Sequence, residues 1–361
     1  MTSSSTRPGP VRKIRTAAVF LSATLLLAAC GSETGTASTN PSSQPAAAAA
    51  GSLCGADGKI NMPTAVPEAG PQTAPAQGKA ATPTHKDLAY ATTSPAQKLD
   101  LYLPPGATGK TPLLIDIHGG GFLLGDKAQE GQLLAPDQLA QGYAVASINY
   151  RLGCEARFPA GVQDVKAAIR WLRAHAATYN LDPDKFVAWG QSAGAYLSAM
   201  AAVTGDQKTV FDDDSLGNAG VSSAVQGAVA WYGPYDFGTQ DKQFEKNRPA
   251  ACKTEILKHG PSDAPESTWL GGALDTVPDK VKQANPATYL PTARSIAPIS
   301  LAAGDSDCLI PHQQSQDLHD AIKAAGGQVT ISIVPGAGHS TAVDKAEMHS
   351  ALKFADGLFK R

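Results

Sequence analysis

Beyond about residue 85 the chain alternates between two hydrophobic patterns. Short, nearly continuous apolar runs recur at about 86–92, 98–103, 112–117, 143–149, 185–190, 225–231, 298–304 and 328–334, and their length and β-branched content predict strands. Between most of them lie longer stretches whose apolar residues return every three or four positions, which predicts helices near 128–141, 161–178, 192–203, 312–326 and 342–359. Central runs such as Leu113-Leu114-Ile115-Asp116-Ile117 have almost no polar face, as strands covered on both sides require. The first two runs alternate polar and apolar residues and predict an antiparallel edge. The expectation is an α/β fold, a mostly parallel eight-stranded sheet with helices on both faces. The rhythm breaks over about 232–297, a turn-rich insertion carrying Tyr235, Phe237, Phe244, Trp269 and Tyr289. An insertion at that point overhangs the carboxyl ends of the strands, where such sheets bind ligands. It reads as a lid or pocket wall, or as a packed surface excursion.

The first 80 residues are patterned differently. Arg7, Arg12, Lys13 and Arg15 precede an apolar run from Ala17 to Ala29, too short to span a membrane but suited to a signal peptide over 1–29. Small residues before Cys30, with Leu27 three positions upstream, resemble a bacterial lipobox, which makes Cys30 the expected lipid-modified first residue of the mature chain. Residues 30–80 are rich in Ser, Thr, Pro, Ala and Gly and read as a flexible tether. That leaves 81–361 as one domain of a size that can hold a substantial core. The implied location is the outer face of the bacterial cytoplasmic membrane, with the membrane itself as partner through the lipid.

Composition narrows the function further. A formal net charge of −2 gives no electrostatic ground for a nucleic-acid partner, and nothing in the sequence points to a protein partner. Besides Cys30 there are Cys54, Cys154, Cys252 and Cys308; an exported, oxidised location permits disulfides, and four cysteines allow three pairings. Neither CxxC nor HExxH occurs, so no metal and no cofactor is expected.

The candidate chemistry centres on Gly190-Gln191-Ser192-Ala193-Gly194, where a predicted strand meets an Ala-rich helix. Gly is frequent, 35 of 361 residues, so the pentapeptide alone is a weak signal. Its context is stronger, because so tight a strand-to-helix turn strains the central residue and exposes the Ser192 hydroxyl as a nucleophile. His118-Gly119-Gly120-Gly121-Phe122 follows the run ending at Ile117, and a glycine run offers backbone N–H groups to an oxyanion with no side chain in the way. Gly120 and Gly121 are assigned to that hole, completed by the Ala193 amide. Of eight histidines, His339 alone follows the last predicted strand, through the turn Pro335-Gly336-Ala337-Gly338, and is the expected base. His118 is expected to orient the glycine loop. A carboxylate must fix the imidazole tautomer, and Asp305 and Asp307 both follow the run at 298–304.

This order of glycine loop, serine turn, Asp and His resembles the α/β-hydrolase superfamily of serine esterases and lipases. More narrowly it is similar to the hormone-sensitive-lipase-like and bacterial carbohydrate-esterase-like branch with a His-Gly-Gly-Gly loop. Leu99-Asp100-Leu101-Tyr102-Leu103-Pro104, Asn149-Tyr150-Arg151-Leu152 and Asp307-Cys308-Leu309-Ile310-Pro311 extend the likeness over about 85–361. One departure is Ala195, where many relatives have Gly. The resemblance implies Asp307 as the acid, third after Gly304 and shortly before Leu309-Ile310-Pro311, with Asp305 supporting the turn. Residues two apart in an extended turn can face the same side, so the residues themselves leave Asp305 open.

The resemblance further implies a serine carboxylic-ester hydrolase that works through an acyl-enzyme, with Ser192, His339 and Asp307 as its triad, on short-chain or carbohydrate-linked acyl esters. A prolyl-oligopeptidase-like peptidase is the alternative enzyme, disfavoured because no propeller-sized segment precedes the domain. A catalytically silent surface-binding lipoprotein is the alternative outside enzymes. With Cys252 in the insertion and Cys308 beside the implied acid, a Cys252–Cys308 bridge is expected to pin the insertion over the site, leaving Cys54 for Cys154.

Overall fold

The computed structural model describes residues 53–55, 57–61, 80–205, 207–253, 257–339 and 341–360; the expected signal peptide, Cys30 and most of the expected tether lie outside them. The described residues form an eight-stranded sheet from β1 (His85–Ala89), β2 (Lys98–Tyr102), β3 (Thr111–Ile117), β4 (Ala144–Ile148), β5 (Leu181–Gln191), β6 (Gly227–Trp231), β7 (Ile299–Gly304) and β8 (Val329–Val334). The spatial order is β1-β2-β4-β3-β5-β6-β7-β8. The β1/β2 and β2/β4 pairs are antiparallel and every other pair is parallel, so the polar–apolar alternation of the first two runs did mark an antiparallel edge. This is the α/β-hydrolase arrangement that the resemblance implied.

Five helices cross between the parallel strands or follow them: α1 (Lys127–Ala140), α2 (Ala160–Ala174), α3 (Ala193–Thr204), α7 (Gln313–Ala324) and α8 (Thr341–Phe359). Successive strand residues feed opposite layers, as the two-residue period of a strand demands. Leu113, Ile115, Phe186, Ala188, Ala228 and Ala230 pack into the core shared with Val165 and Ile169 of α2 and Leu197 and Met200 of α3. Leu114, Val187, Trp189, Val229 and Trp231 face the second core, with Leu134 of α1 and Val343, Ala351 and Ala355 of α8. Both faces being dry explains why β3 is buried at all seven positions. Its one carboxylate, Asp116, accepts from Gln138 Nε2 (2.9 Å), and burial pushes its pKa up to about 8, so it sits neutral at neutral pH.

Two segments carry more structure than their composition suggests. The insertion is not merely turn-rich: it holds α4 (Gln240–Lys246), α5 (Pro265–Leu270) and α6 (Pro278–Ala284) with short 3-10 turns between and after them. Helices of six or seven residues are below the length that periodicity can report and are held by packing rather than propensity. Part of the expected tether is also structured. Within it, residues 53–55 and 57–61 pair as a small hairpin in which Cys54 bridges Ile60 in antiparallel fashion and Asn61 N donates to Leu53 O (2.6 Å). Cys54 is disulfide-bonded to Cys154, with Cα atoms 5.2 Å apart, and Leu53 N donates to Thr268 Oγ1 of α5 (3.3 Å). A covalent bond across 100 residues supplies the anchoring that this polar composition lacks.

Candidate active site

β5 ends at Gln191 and α3 begins at Ala193, so Ser192 alone makes the turn, at φ 54° and ψ −122°. Such a backbone is costly for a side-chain-bearing residue and is held by its surroundings. A Cβ on Gly190 would lie 2.4 Å from the Gly194 carbonyl carbon, and one on Gly194 would lie 1.8 Å from Ile117 O, so only glycine fits at either end of the turn. Ser192 N donates to Trp231 O (2.9 Å), tying the turn to β6, while its side chain makes no cap on α3.

The Ser192 hydroxyl instead faces His339, whose Nε2 accepts from Oγ at 2.9 Å. His339 Nδ1 donates to Asp307 Oδ2 at 2.8 Å. Asp307 is 1 % exposed, and its other oxygen accepts from Leu309 N (2.8 Å) and Ile310 N (2.9 Å), which leaves Oδ2 aimed at the imidazole. Asp305 faces elsewhere: its Oδ1 accepts from Gly336 N (2.7 Å) and Ser306 Oγ (3.0 Å), stitching the turn after β7 to the turn after β8. Of the two aspartates that the residues alone left open, Asp307 is therefore the one in contact with His339.

The glycine loop closes over the serine from the end of β3. Gly120, Gly121 and Phe122 have φ of 101°, 57° and 65°, and a Cβ on Gly120 would lie 2.3 Å from Leu124 O. Gly119 approaches the serine turn so closely that its Cβ would lie 3.0 Å from Gln191 O. The amides of Gly120, Gly121 and Ala193 donate to no group among the described residues, which leaves them for an anionic oxygen. His118 is buried, donates Nδ1–H to Gly119 O (2.9 Å) and stacks on Tyr150 with ring centres 4.4 Å apart. Burial pulls its pKa down to about 4, so at neutral pH it is a neutral prop for the loop.

The insertion walls this loop. A Cβ on Gly121 would lie 3.2 Å from Pro265 Cβ at the start of α5, and Trp269 of the same helix stacks on Phe122 at 4.1 Å. Cys252 of the insertion is disulfide-bonded to Cys308, next to Asp307, with Cα atoms 5.5 Å apart. Nearby, His259 Nε2 donates to Leu309 O (3.0 Å), and its Nδ1 stands 3.0 Å from Glu266 Oε2 of α5, close enough for strong attraction though not aligned as a hydrogen bond. Burial alone lowers the His259 pKa, but Glu266, Asp241 and the Leu309 carbonyl outweigh it and the net shift is upward.

Two further residues at the site went unread in the sequence. Tyr232, directly after β6, packs its ring against His339 in a T-shaped contact at 4.7 Å, and its hydroxyl donates to Asp344 Oδ1 in the first turn of α8 (2.7 Å). The available signal was position: Tyr232 follows a strand at the carboxyl edge of the sheet, and Asp344 comes five residues after His339.

The chain is similar to known esterases in sequence and in fold. The pattern of the BD-FAE family matches residues 99–322. Esterase LipQ of Mycobacterium tuberculosis is 29% identical over 257 residues, 70% of this chain and 56% of the relative. Esterase LipC of the same organism is 29% identical over 247 residues, 68% of this chain and 57% of the relative. The chain thus spans little more than half the length of these curated relatives. Among solved structures, a truncated carbohydrate esterase from gut microbiota superposes with a TM-score of 0.69 at 31% identity, over 80% of this chain and 100% of that one.

Proposed function

The chain belongs to the BD-FAE family, and from that premise we propose that it is a carboxylic ester hydrolase working through a serine acyl-enzyme. The observation that carries this reading is the unbroken line from Asp307 through His339 to Ser192, at 2.8 and 2.9 Å, beside three unused amides. In the proposed sequence Ser192 Oγ attacks the ester carbonyl while His339 Nε2 takes its proton. Asp307 keeps the proton of Nδ1 in place and offsets the charge on the imidazolium. The amides of Gly120, Gly121 and Ala193 hold the tetrahedral oxyanion. His339 then returns its proton to the leaving alcohol, and water repeats the steps to release the acid and free Ser192.

The substrate class we propose is a short-chain or carbohydrate-linked acyl ester, supported by the likeness to a carbohydrate esterase at 31% identity. The test is a series of aryl esters of increasing acyl length run beside acetylated xylan and methyl ferulate, with Ser192→Ala as control. Ser192→Ala is expected to abolish turnover and labelling by a fluorophosphonate; full turnover by that variant would refute the reading.

We also propose export and anchoring through Cys30, with 1–29 removed and the domain of 81–361 held outside the cytoplasmic membrane. Two disulfides, Cys54–Cys154 and Cys252–Cys308, support an oxidising location. Cys30→Ser should release the protein from the membrane fraction; recovery of the unmutated protein wholly in the medium without lipid would refute it.

A further inference from the structure

Outside the triad, Tyr232 packs its ring against His339, and the charge of His339 acts on Asp344 of α8. Tyr232 sits at the end of β6 with φ 44°, in the left-handed region that a bulky residue seldom adopts, and its amide donates to Ala302 O of β7 (2.6 Å). The neighbouring Trp231 carbonyl receives the Ser192 amide, so this one dipeptide touches the serine turn, β7 and the imidazole. The strained backbone directs the phenol ring onto His339 and its hydroxyl onto Asp344, which α8 carries back toward the site. Strain kept at a residue with these contacts points to a role in the site rather than to the turn itself.

We propose that Tyr232 and Asp344 are positioning residues for His339: the ring fixes the plane in which the imidazole reaches both Ser192 and Asp307, and the Asp344 carboxylate locks that ring while adding a second negative charge beside the imidazolium. The inference rests on the ester-hydrolase reading for its kinetic consequence, although not for the geometry. The charged groups facing Tyr232 are Asp344, Glu130 and Asp307, all acidic. Glu130, on α1, is pushed well above the usual carboxylate range by burial. Burial also raises Asp344, but the Tyr232 hydroxyl and the charge of His339 pull it back to about 6, so it remains ionised at pH 7. The coupling is reciprocal: an imidazolium that favours the Asp344 anion is itself favoured by it.

This gives a relation that a merely structural role would not produce. An anion beside His339 stabilises the imidazolium formed in the transition state, so removing that charge should lower the rate and move the pH profile together, by at most about tenfold in rate for each unit the profile moves. Asp344→Asn preserves shape and can still accept from Tyr232, but it removes the charge. It is expected to move the acid limb of kcat/KM down by about half a unit and to lower kcat by about threefold, with KM unchanged. Tyr232→Phe keeps the ring, strands Asp344 without its donor and should act in the same direction, with the double variant no worse than the more impaired single one.

The experiment measures pH profiles for these variants on an aryl acetate, together with the His339 titration followed by NMR on isotopically labelled, folded protein. Matching downward shifts in both readouts support the proposal. An unmoved His339 titration in Asp344→Asn, or a kcat loss without a pKa shift, overturns it. Absence of hydrolysis by the unmutated protein would instead refute the ester reading, and the NMR titration would still decide the role of Asp344.

Discussion

Replacing Asp307 by Asn tests the core of the site with almost no change of shape. Asp307 Oδ1 accepts two backbone amides, from Leu309 and Ile310, while Oδ2 accepts the His339 Nδ1 proton. An asparagine can satisfy the two amides only with its carbonyl oxygen, which turns its NH2 toward Nδ1. Nδ1 must then accept, so the ring proton moves to Nε2, the nitrogen that should take the proton of Ser192. The fold should barely register the change, since both backbone bonds survive and the carbonyl replaces the carboxylate oxygen in place; about 1 kcal/mol of stability is the expected cost. Turnover should collapse by roughly 10⁴, the loss that follows the same change in serine proteases, equal to about 5.5 kcal/mol in the barrier. Asp305→Asn, by contrast, keeps an acceptor for Gly336 N and Ser306 Oγ, so both stability and turnover should stay near their original values. Steady-state hydrolysis of an aryl acetate, paired with thermal melts, reads both variants. If Asp307→Asn kept more than a tenth of the original kcat while melting normally, or if Asp305→Asn were the crippled protein, the reasoning would fail.

Gly120→Ala forces a Cβ to within 2.3 Å of Leu124 O at a φ of 101°, so the loop must shift and kcat should fall about 10²-fold; an alanine variant with normal turnover would sink the oxyanion assignment. Opening the Cys252–Cys308 bridge with paired serines frees a 56-residue separation and should cost roughly 4 kcal/mol, read as a lower denaturation midpoint, and an unchanged midpoint would show the insertion is held without it. The His259 pKa is raised in the folded state, so the stability it supplies is complete below about pH 6.5 and disappears as pH climbs through the folded value. His259→Gln should therefore flatten the decline of Tm above that pH, and identical slopes in the two proteins would remove the pair from the account.

Legibility followed the range of the physical cause. The strands of the central sheet could be read because burial on both faces leaves an apolar run, and β3 is buried at every position. The serine turn could be read because the need for Gly190 and Gly194 arises within five residues, from clashes a Cβ would make locally and with the neighbouring strand end. The choice between Asp305 and Asp307 was beyond alternation, because the turn after β7 is not extended and each carboxylate is aimed by amides from different segments. The helices of the insertion escaped because Trp269 and Phe237 are buried by Phe122 and Tyr196, partners far away in the chain. The hairpin around Cys54 escaped although its pairing with Cys154 was expected, because a partner 100 residues on leaves no trace in the local polar composition. Tyr232 offered only its position after a strand at the carboxyl edge of the sheet, since the direction of its ring depends on a backbone angle that no sequence pattern encodes.

The docking of Leu53 and Cys54 also decides how the protein must be held. At that end the chain is fastened to Thr268 and Cys154, on the rim that carries Trp269 and the glycine loop. At the other end α8 starts beside His339 and runs 19 residues, about 28 Å, to Phe359, whose ring lies 6.5 Å from Tyr143 just ahead of β4. The two attachment points are therefore at opposite poles of the sheet. A bead, a surface or a fused domain joined directly at Leu53 should sit on the mouth side and crowd a bulky ester before a small one. The same load joined after Phe359 hangs from the base and leaves the mouth facing outward. Comparing the two attachments on a polymer and on an aryl acetate thus measures the reach of the substrate rather than the chemistry of the site.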